Sequence, residues 1–335
     1  MRGTNAENRA MMTVRVSAPG KLMLAGEYVV VERGTPALSV AVEHRVTLEA
    51  TVREAPGWSV TSEALGFVEE PLYRVPVLAE ALARVPGAPR GGHVLVRSAL
   101  GAGPEKPGLG SSAAVCVAGF AAFTRLLGTG AEPSLLTIIE AHRAAQGGMG
   151  SGYDVATALH GGLIVFEPAA PGAAPKVEPL AWPTGLVAAV FKAHRGASTI
   201  DMLRRVAAWR DEDPETLDAC LEPLAIETEE LVAAFRKGDV ERVLTAAAQV
   251  QEELGVMDRM GDLGILSGGQ IQLHGVIEDS GCVGRTSGAG GGDCVWALAD
   301  DPEAITRAMS SARELGFTCL DLRFPAAGLR IGEDV

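Results

Sequence analysis

One stretch restricts the possible architectures more than any other: EKPGLGSSAAVCVAGFAAF, residues 105 to 123. From Ala113 to Phe123 every residue is apolar or glycine, so a helix here has no polar face to offer to water. It must run through the interior of a layered fold. Just before it, Gly108 and Gly110 bracket Leu109, and Ser111 and Ser112 fall in the expected first turn. Helix starts leave backbone N–H groups unpaired and carry partial positive charge, so a glycine loop at such a start suits an anion such as phosphate.

Four readings of that loop compete. In the structural one, Ser111 or Ser112 simply caps the helix. A Walker loop requires a lysine directly after its last glycine, and none follows Gly110. A Rossmann loop reads G-x-G-x-x-G/A, which Gly108, Gly110 and Ala113 satisfy, with HVLVRSAL (93 to 100) as a preceding strand. Seven or more residues separate that strand from the glycines, which weakens the match. In the fourth, a nucleotide kinase, a serine hydroxyl sits on Mg²⁺ and backbone amides hold phosphates.

The rest of the chain sets the context. Residues 13 to 18 and 37 to 52 alternate or run β-branched, as half-buried strands do. Helices are expected over 111–127, 133–146, 154–160, 199–210, 214–237, 239–254 and 302–315, with strands at LIVFEP (163 to 168), 185–192, 293–299 and 318–324. A Pro/Ala segment, 168 to 183, interrupts the pattern. The expected organisation is an extension at 1–12, one domain over 13–183 and a second over 184–335. At 335 residues there is ample chain for this.

Composition narrows the function. A formal charge of −13 argues against nucleic acid or an anionic membrane as partner, both of which are held by basic patches. No apolar run approaches the roughly 20 residues of a membrane span, and MRGTNAENRAMM lacks the apolar core of a secretory signal. The five cysteines are widely spaced with no CxxC pair, which fits reduced thiols and a cytoplasmic location. An anionic substrate would need a local basic cluster.

Three segments, in order, carry a resemblance that covers the chain from about Val14 to Phe324. SAPGKLMLAGEYVVVERGTPAL (17 to 38), PGLGSSAA (107 to 114) and SGAGGGDCVWAL (287 to 298) resemble the three motifs of the GHMP small-molecule kinases. The resemblance implies an α+β fold with a ribosomal-protein-S5-like N-terminal lobe and a ferredoxin-like C-terminal lobe. ATP and substrate would share the cleft between them. Within the family, Glu27-Tyr28, GSGYDVATALHGG (150 to 162) and SGAGGGDC (287 to 294) look like the phosphomevalonate kinases more than the mevalonate kinases or galactokinases. The Lys-Tyr-Trp-Gly run of the diphosphomevalonate decarboxylases is missing.

The implied activity is ATP-dependent phosphorylation of (R)-5-phosphomevalonate, with mevalonate kinase or another small-molecule kinase of the family as the alternative, and a non-catalytic metabolite sensor beyond that. By resemblance Lys21 and Asp154 are catalytic. Lys106, Gly108, Leu109, Gly110, Ser111, Ser112 and Ala113 surround ATP, and Ser112 is the Mg²⁺ ligand. Lys21, Ser151, Arg195, Ser198, Thr199, Ser287, Gly288 and Ala289 meet the substrate. Lys21 otherwise reads as a turn lysine, Asp154 as the cap of the helix after it, and Thr199 as part of a capping loop. Mevalonate kinases carry a glutamate on the helix before the aspartate, and here the aligned position is His142 or Arg143, with Glu140 slightly earlier. His142 itself reads as a helix-face histidine. Lys21, Lys106, Lys192, His194 and Arg195 are the cations expected near two anionic substrates. The expected assembly is a monomer or homodimer, and LSGGQIQLHG (266 to 275) matches none of these motifs.

Overall fold

The computed structural model describes residues 12–101, 107–128, 134–170, 172–193, 199–292 and 294–332. Its strands are β1 (Thr13–Ala25), β2 (Ala37–Val52), β3 (Gly57–Ser62), β4 (Phe67–Pro71), β5 (Gly91–Ser98), β6 (Leu163–Glu167), β7 (Lys176–Leu180), β8 (Val187–Lys192), β9 (Val283–Thr286), β10 (Cys294–Ala299), β11 (Thr318–Cys319) and β12 (Arg330–Ile331). The helices are α1 (Val29–Glu32), α2 (Pro76–Ala83), α3 (Ser111–Leu126), α4 (Leu135–Ala145), α5 (Tyr153–His160), α6 (Thr199–Glu212), α7 (Pro214–Lys237), α8 (Val240–Gly261), α9 (Gly268–Asp279) and α10 (Pro302–Glu314).

The first sheet runs β12-β1-β2-β5-β3-β4, with β6 paired to the first half of β2 and β7 to β6. Only β3 and β5 pair in parallel; the other pairs of this sheet are antiparallel. A doubly wound parallel sheet is therefore ruled out, and the Rossmann reading with it. β1 extends well past the expected residue 18, because irregularities at Pro19/Gly20 and Met23/Ala25 let pairing with β2 resume beyond the proline. Lys21 is thus a strand residue. α3 crosses the face of this sheet, with Phe120 and Phe123 fully buried. Gly119 admits α2: a Cβ there would lie 2.6 Å from Leu78 Cδ2.

The second sheet, β11-β8-β10-β9, is antiparallel throughout. α9 and α10 cover one face through Leu273, Ile277, Ala304 and Ala308. α7 and α8 run antiparallel over the other side, their starts fixed by Asp213 and Asp239, whose carboxylates accept from Thr216 N and Arg242 N. The expected strand 318–324 shortens to β11. Beyond it the chain returns to the first sheet, where Ala326 N donates to Ala41 O and β12 pairs with β1. The division at residue 183 is therefore crossed by residues 326–331.

The unassigned 266–275 segment has a structural part to play. Ser267 and Gln270 form a reciprocal capping box at the start of α9. His274, further along α9, places Nε2 3.1 Å from Thr286 Oγ1, and Gly284 makes the room, since a Cβ there would sit 2.4 Å from His274 Nδ1. Burial, and then the Arg285 charge, push the His274 pKa down to about 4. Because the folded value lies below the ordinary 6.5, stability is complete above that pH and falls as the unfolded chain takes up the proton. Unfolding in urea at pH 7 and pH 5 should show a loss of about 2 kcal/mol from this residue. His274→Gln should flatten that difference; an unchanged pH dependence would remove His274 as its source.

Candidate active site

Two glycines from different motifs make room for each other's loops. At Gly20 in β1 a Cβ would lie 2.5 Å from Leu100 Cδ2 and 2.8 Å from Leu109 O. At Gly110, where φ is +75°, a Cβ would lie 2.8 Å from Lys21 Cγ. With neither Cβ in place, Lys21 N donates to Leu109 O at 2.9 Å, and Lys21 Nζ donates to Gly108 O at 3.1 Å. The same ammonium lies 5.4 Å from the Tyr153 ring centre. Lys21 is 8% exposed, so the reading as a solvated turn lysine is corrected.

The start of α3 is capped by Gly110 in the left-handed region, with no side-chain cap bond. The serine-cap reading therefore fails, because Ser111 and Ser112 are already inside the helix. Ser112 Oγ instead lies 3.1 Å from His142 Nε2, and His142 Nδ1 lies 3.9 Å from Asp154 Oδ2. Asp154 does not cap α5 either. Gly152 holds that position, and Asp154 Oδ1 accepts from Val155 N at 2.9 Å. Arg143 fixes the loop before α5: Nε donates to Gly150 O and Nη2 to Ser151 O, both at 2.7 Å. Behind these groups burial pushes the Cys116 thiol up to about 12, and it pushes Tyr153 upward too. All five cysteines are free thiols.

The third motif docks on the first. Tyr28, at φ +61°, donates its hydroxyl to Ala289 O at 2.5 Å. Met23 O accepts from both Ser287 Oγ and Trp296 Nε1 at 2.9 Å, while Met23 N donates to Ser287 Oγ at 3.0 Å. Beneath them Arg285 and Glu27, both fully buried at the side chain, form an ion pair at 2.5 Å. Arg285 also donates to Leu24 O and Gln251 Oε1. Gly290 closes against the 263–267 loop, since a Cβ there would lie 2.5 Å from Ile265 Cγ2, and Gly291 N donates to Ile265 O.

These segments enclose a cavity of about 400 Å³, within the range of small-molecule sites. Of the expected site residues, Lys21, Gly108, Leu109, Gly110, Ser111, Ser112, Ser151, Asp154, Thr199, Gly288 and Ala289 line it. Two do not. Ser287 spends its hydroxyl on Met23, and Ala113 is buried behind the loop. Lys106, Arg195 and Ser198 lie outside the described residues, as does His194. Of the expected cations that are described, Lys21 lines the cavity, while Lys192 sits on β8 opposite Cys294 and Thr318 and does not.

Glu27, Tyr28, Tyr153, Gln146 and His142, to which the sequence assigned no role in the site, also line the cavity. For His142 and Gln146 the available signal is their i, i+4 spacing, which turns His142 of α4 and the C-cap residue Gln146 to the same side. Among the described residues no cluster of three His, Cys, Asp or Glu side chains is placed to hold a metal. No described helix is long and apolar enough to cross a membrane.

Comparison with known proteins agrees with the arrangement. The family model described as GHMP kinases N terminal domain matches residues 73–162, and the one described as GHMP kinases C terminal matches residues 231–316. A phosphomevalonate kinase of Streptomyces sp. (strain CL190) is 30% identical, over 86% of this chain and 90% of that protein. A mevalonate kinase of Thermococcus sibiricus is 27% identical, over 97% of this chain and 99% of that protein. Among solved structures, Streptococcus pneumoniae phosphomevalonate kinase in complex with phosphomevalonate and AMPPNP superposes with a TM-score of 0.75 at 21% identity, covering 93% of this chain and 99% of that one. The expected α+β fold, one lobe around each sheet, is the fold found.

Glu27→Gln removes the charge that balances Arg285 deep beside the cavity. It should cost about 3 to 5 kcal/mol of stability in urea unfolding. A change below about 1 kcal/mol would mean that the pair does not hold the two motifs together.

Proposed function

The chain belongs to the GHMP kinase family, and we propose that it transfers the terminal phosphoryl group of ATP to the phosphate of (R)-5-phosphomevalonate, giving 5-diphosphomevalonate. The observation that carries this reading is the meeting of Lys21, Ser112 and Asp154, from three separate segments, in one cavity at the glycine-bounded start of α3. The likeness to the Streptomyces phosphomevalonate kinase supports the choice of acceptor.

The unpaired amides at the start of α3 bind the nucleotide phosphates, and the glycines let those phosphates come close. The residues present suit Mg²⁺, because a hydroxyl from Ser112 with Asp154 nearby leaves most ligand positions to phosphate oxygens, as this ion prefers. Bound there, Mg²⁺ would neutralise charge on the transferring group. Lys21, held by Gly108 O, presents its ammonium to the same oxygens as negative charge shifts during transfer. Ser151, Thr199, Gly288 and Ala289 are the proposed acceptor contacts on the cavity wall, with Arg195 and Ser198 proposed from the motif alone. Val30 and Val31 of α1 and Ile200 and Leu203 of α6 supply apolar wall that limits water around the transfer.

The acceptor's chemistry sets the task of Asp154. A phosphate monoester, with a second pKa of about 6, is mostly dianionic at neutral pH and needs no base to become a nucleophile. Asp154 therefore orients Lys21 and the metal. Mevalonate, by contrast, offers an alcohol that must lose a proton, and Asp154 would have to take it. That second reading is favoured by the full-length likeness to the Thermococcus mevalonate kinase.

ADP production with phosphomevalonate and mevalonate side by side decides between them, and a preference for mevalonate would overturn the assigned acceptor. Asp154→Asn should keep more than about a tenth of turnover with phosphomevalonate, where loss of a general base would cost about 10²-fold or more. Complete loss with substrate binding intact would restore the base role. Lys21→Met should lower kcat by about a hundredfold or more while the fold persists.

A further inference from the structure

His142, a helix-face residue by sequence, is 3% exposed and stands between two groups of the proposed reaction. Its Nε2 lies 3.1 Å from Ser112 Oγ and 3.1 Å from Gln146 Nε2. Its Nδ1 faces the Asp154 carboxylate at 3.9 Å. These contacts assign the ring proton. A carboxamide nitrogen only donates, so with the Gln146 amide nitrogen turned to the ring, Nε2 is an acceptor. The proton of a neutral imidazole then lies on Nδ1, on the carboxylate side, where a positive edge is favoured.

An Nε2 that accepts has no proton to give Ser112, so in this contact the Ser112 hydroxyl can only donate, sharing the one ring lone pair with the Gln146 amide. A hydroxyl has one proton and two lone pairs. With the proton directed at His142, the lone pairs of Ser112 remain for the cavity, the polarity a cation requires. The opposite tautomer would donate to Ser112, occupy one lone pair and free the hydroxyl proton to point at the cation. We propose that His142 is a positioning residue: as the Nδ1–H tautomer it fixes the Ser112 hydroxyl proton and leaves the Ser112 oxygen free to hold a divalent cation brought in with a nucleoside triphosphate. Asp154 then acts twice, once at the cavity and once in fixing the tautomer. The inference rests on the reading of Ser112 as a metal ligand.

The tautomer is readable without nucleotide or metal. In the full chain with ¹⁵N-labelled histidine, the His142 resonances are identified by their disappearance in whichever of His142→Gln and His142→Leu folds. They should show a protonated Nδ1 and an unprotonated Nε2. A proton on Nε2 overturns the proposal, whatever acceptor the enzyme uses.

The second measurement is the ATP dissociation constant with and without Mg²⁺. His142→Gln, whose carboxamide oxygen can accept from Ser112, should keep the Mg²⁺-dependent tightening. His142→Leu should lose about tenfold of it while leaving metal-free ATP binding unchanged, as loss of a group that orients a metal ligand does. Ser112→Ala should lose a similar amount, and adding His142→Leu to it should lose nothing more. Losses that multiply in the double variant, or a His142→Gln protein as impaired as His142→Leu, would overturn it. Failure of phosphomevalonate turnover would leave both readouts standing and would count only against the assigned acceptor.

Discussion

The site depends first on a backbone hydrogen bond, Lys21 N to Leu109 O, that ties the strand of the first motif to the loop of the second. Room for it comes from Gly20, whose Cβ would press on Leu109 O, and from Gly110, whose Cβ would press on the Lys21 side chain. The consequence reaches past two residues. Lys21 receives a fixed direction, its ammonium held by Gly108 O, and the loop receives a fixed height above β1. α3 behind the loop has no polar face with which to settle elsewhere, so the amides at its start are held in place by the core.

A second fixture joins the third motif to this pair. The Glu27–Arg285 ion pair is fully buried, and its surroundings leave Glu27 Oε1 without a partner among the described residues. Such a pair adds little net stability compared with apolar residues of like size, yet separating its members is costly. Its effect is therefore on register. With Tyr28 on Ala289 O and Met23 shared by Ser287 and Trp296, it sets one position of the second sheet against the first. The cavity wall inherits that position.

How far the site was legible in the sequence follows from the range of each signal. α3 was readable because an all-round apolar run with glycines before it is a local pattern, and its observed bounds differ from the expected 111–127 by a residue. Lys21 was readable through its motif, but its strand was not, since a proline at 19 normally ends pairing and only the irregularity beside it lets β1 continue. Ser287 reads as a substrate contact through its motif, while the partner of its hydroxyl, Met23, lies 264 positions away and leaves no mark on neighbouring residues. His142 shows the same limit at shorter range. Helical periodicity tells which way a residue faces, while Ser112 and Asp154 come to meet it from other helices. Lys192 is the converse case: it pairs with Cys294 of the third motif and still does not line the cavity.

The return of residues 326–331 to the first sheet bears on how the protein is made. Val16 pairs with Ile331 and Ser17 with Arg330, so the strand that carries Lys21 keeps an open edge until nearly all of the described chain has left the ribosome. Unpaired edges recruit other strands, and contacts so distant in sequence close slowly. During synthesis the first sheet thus lacks one of its edge strands until residues 330 and 331 emerge.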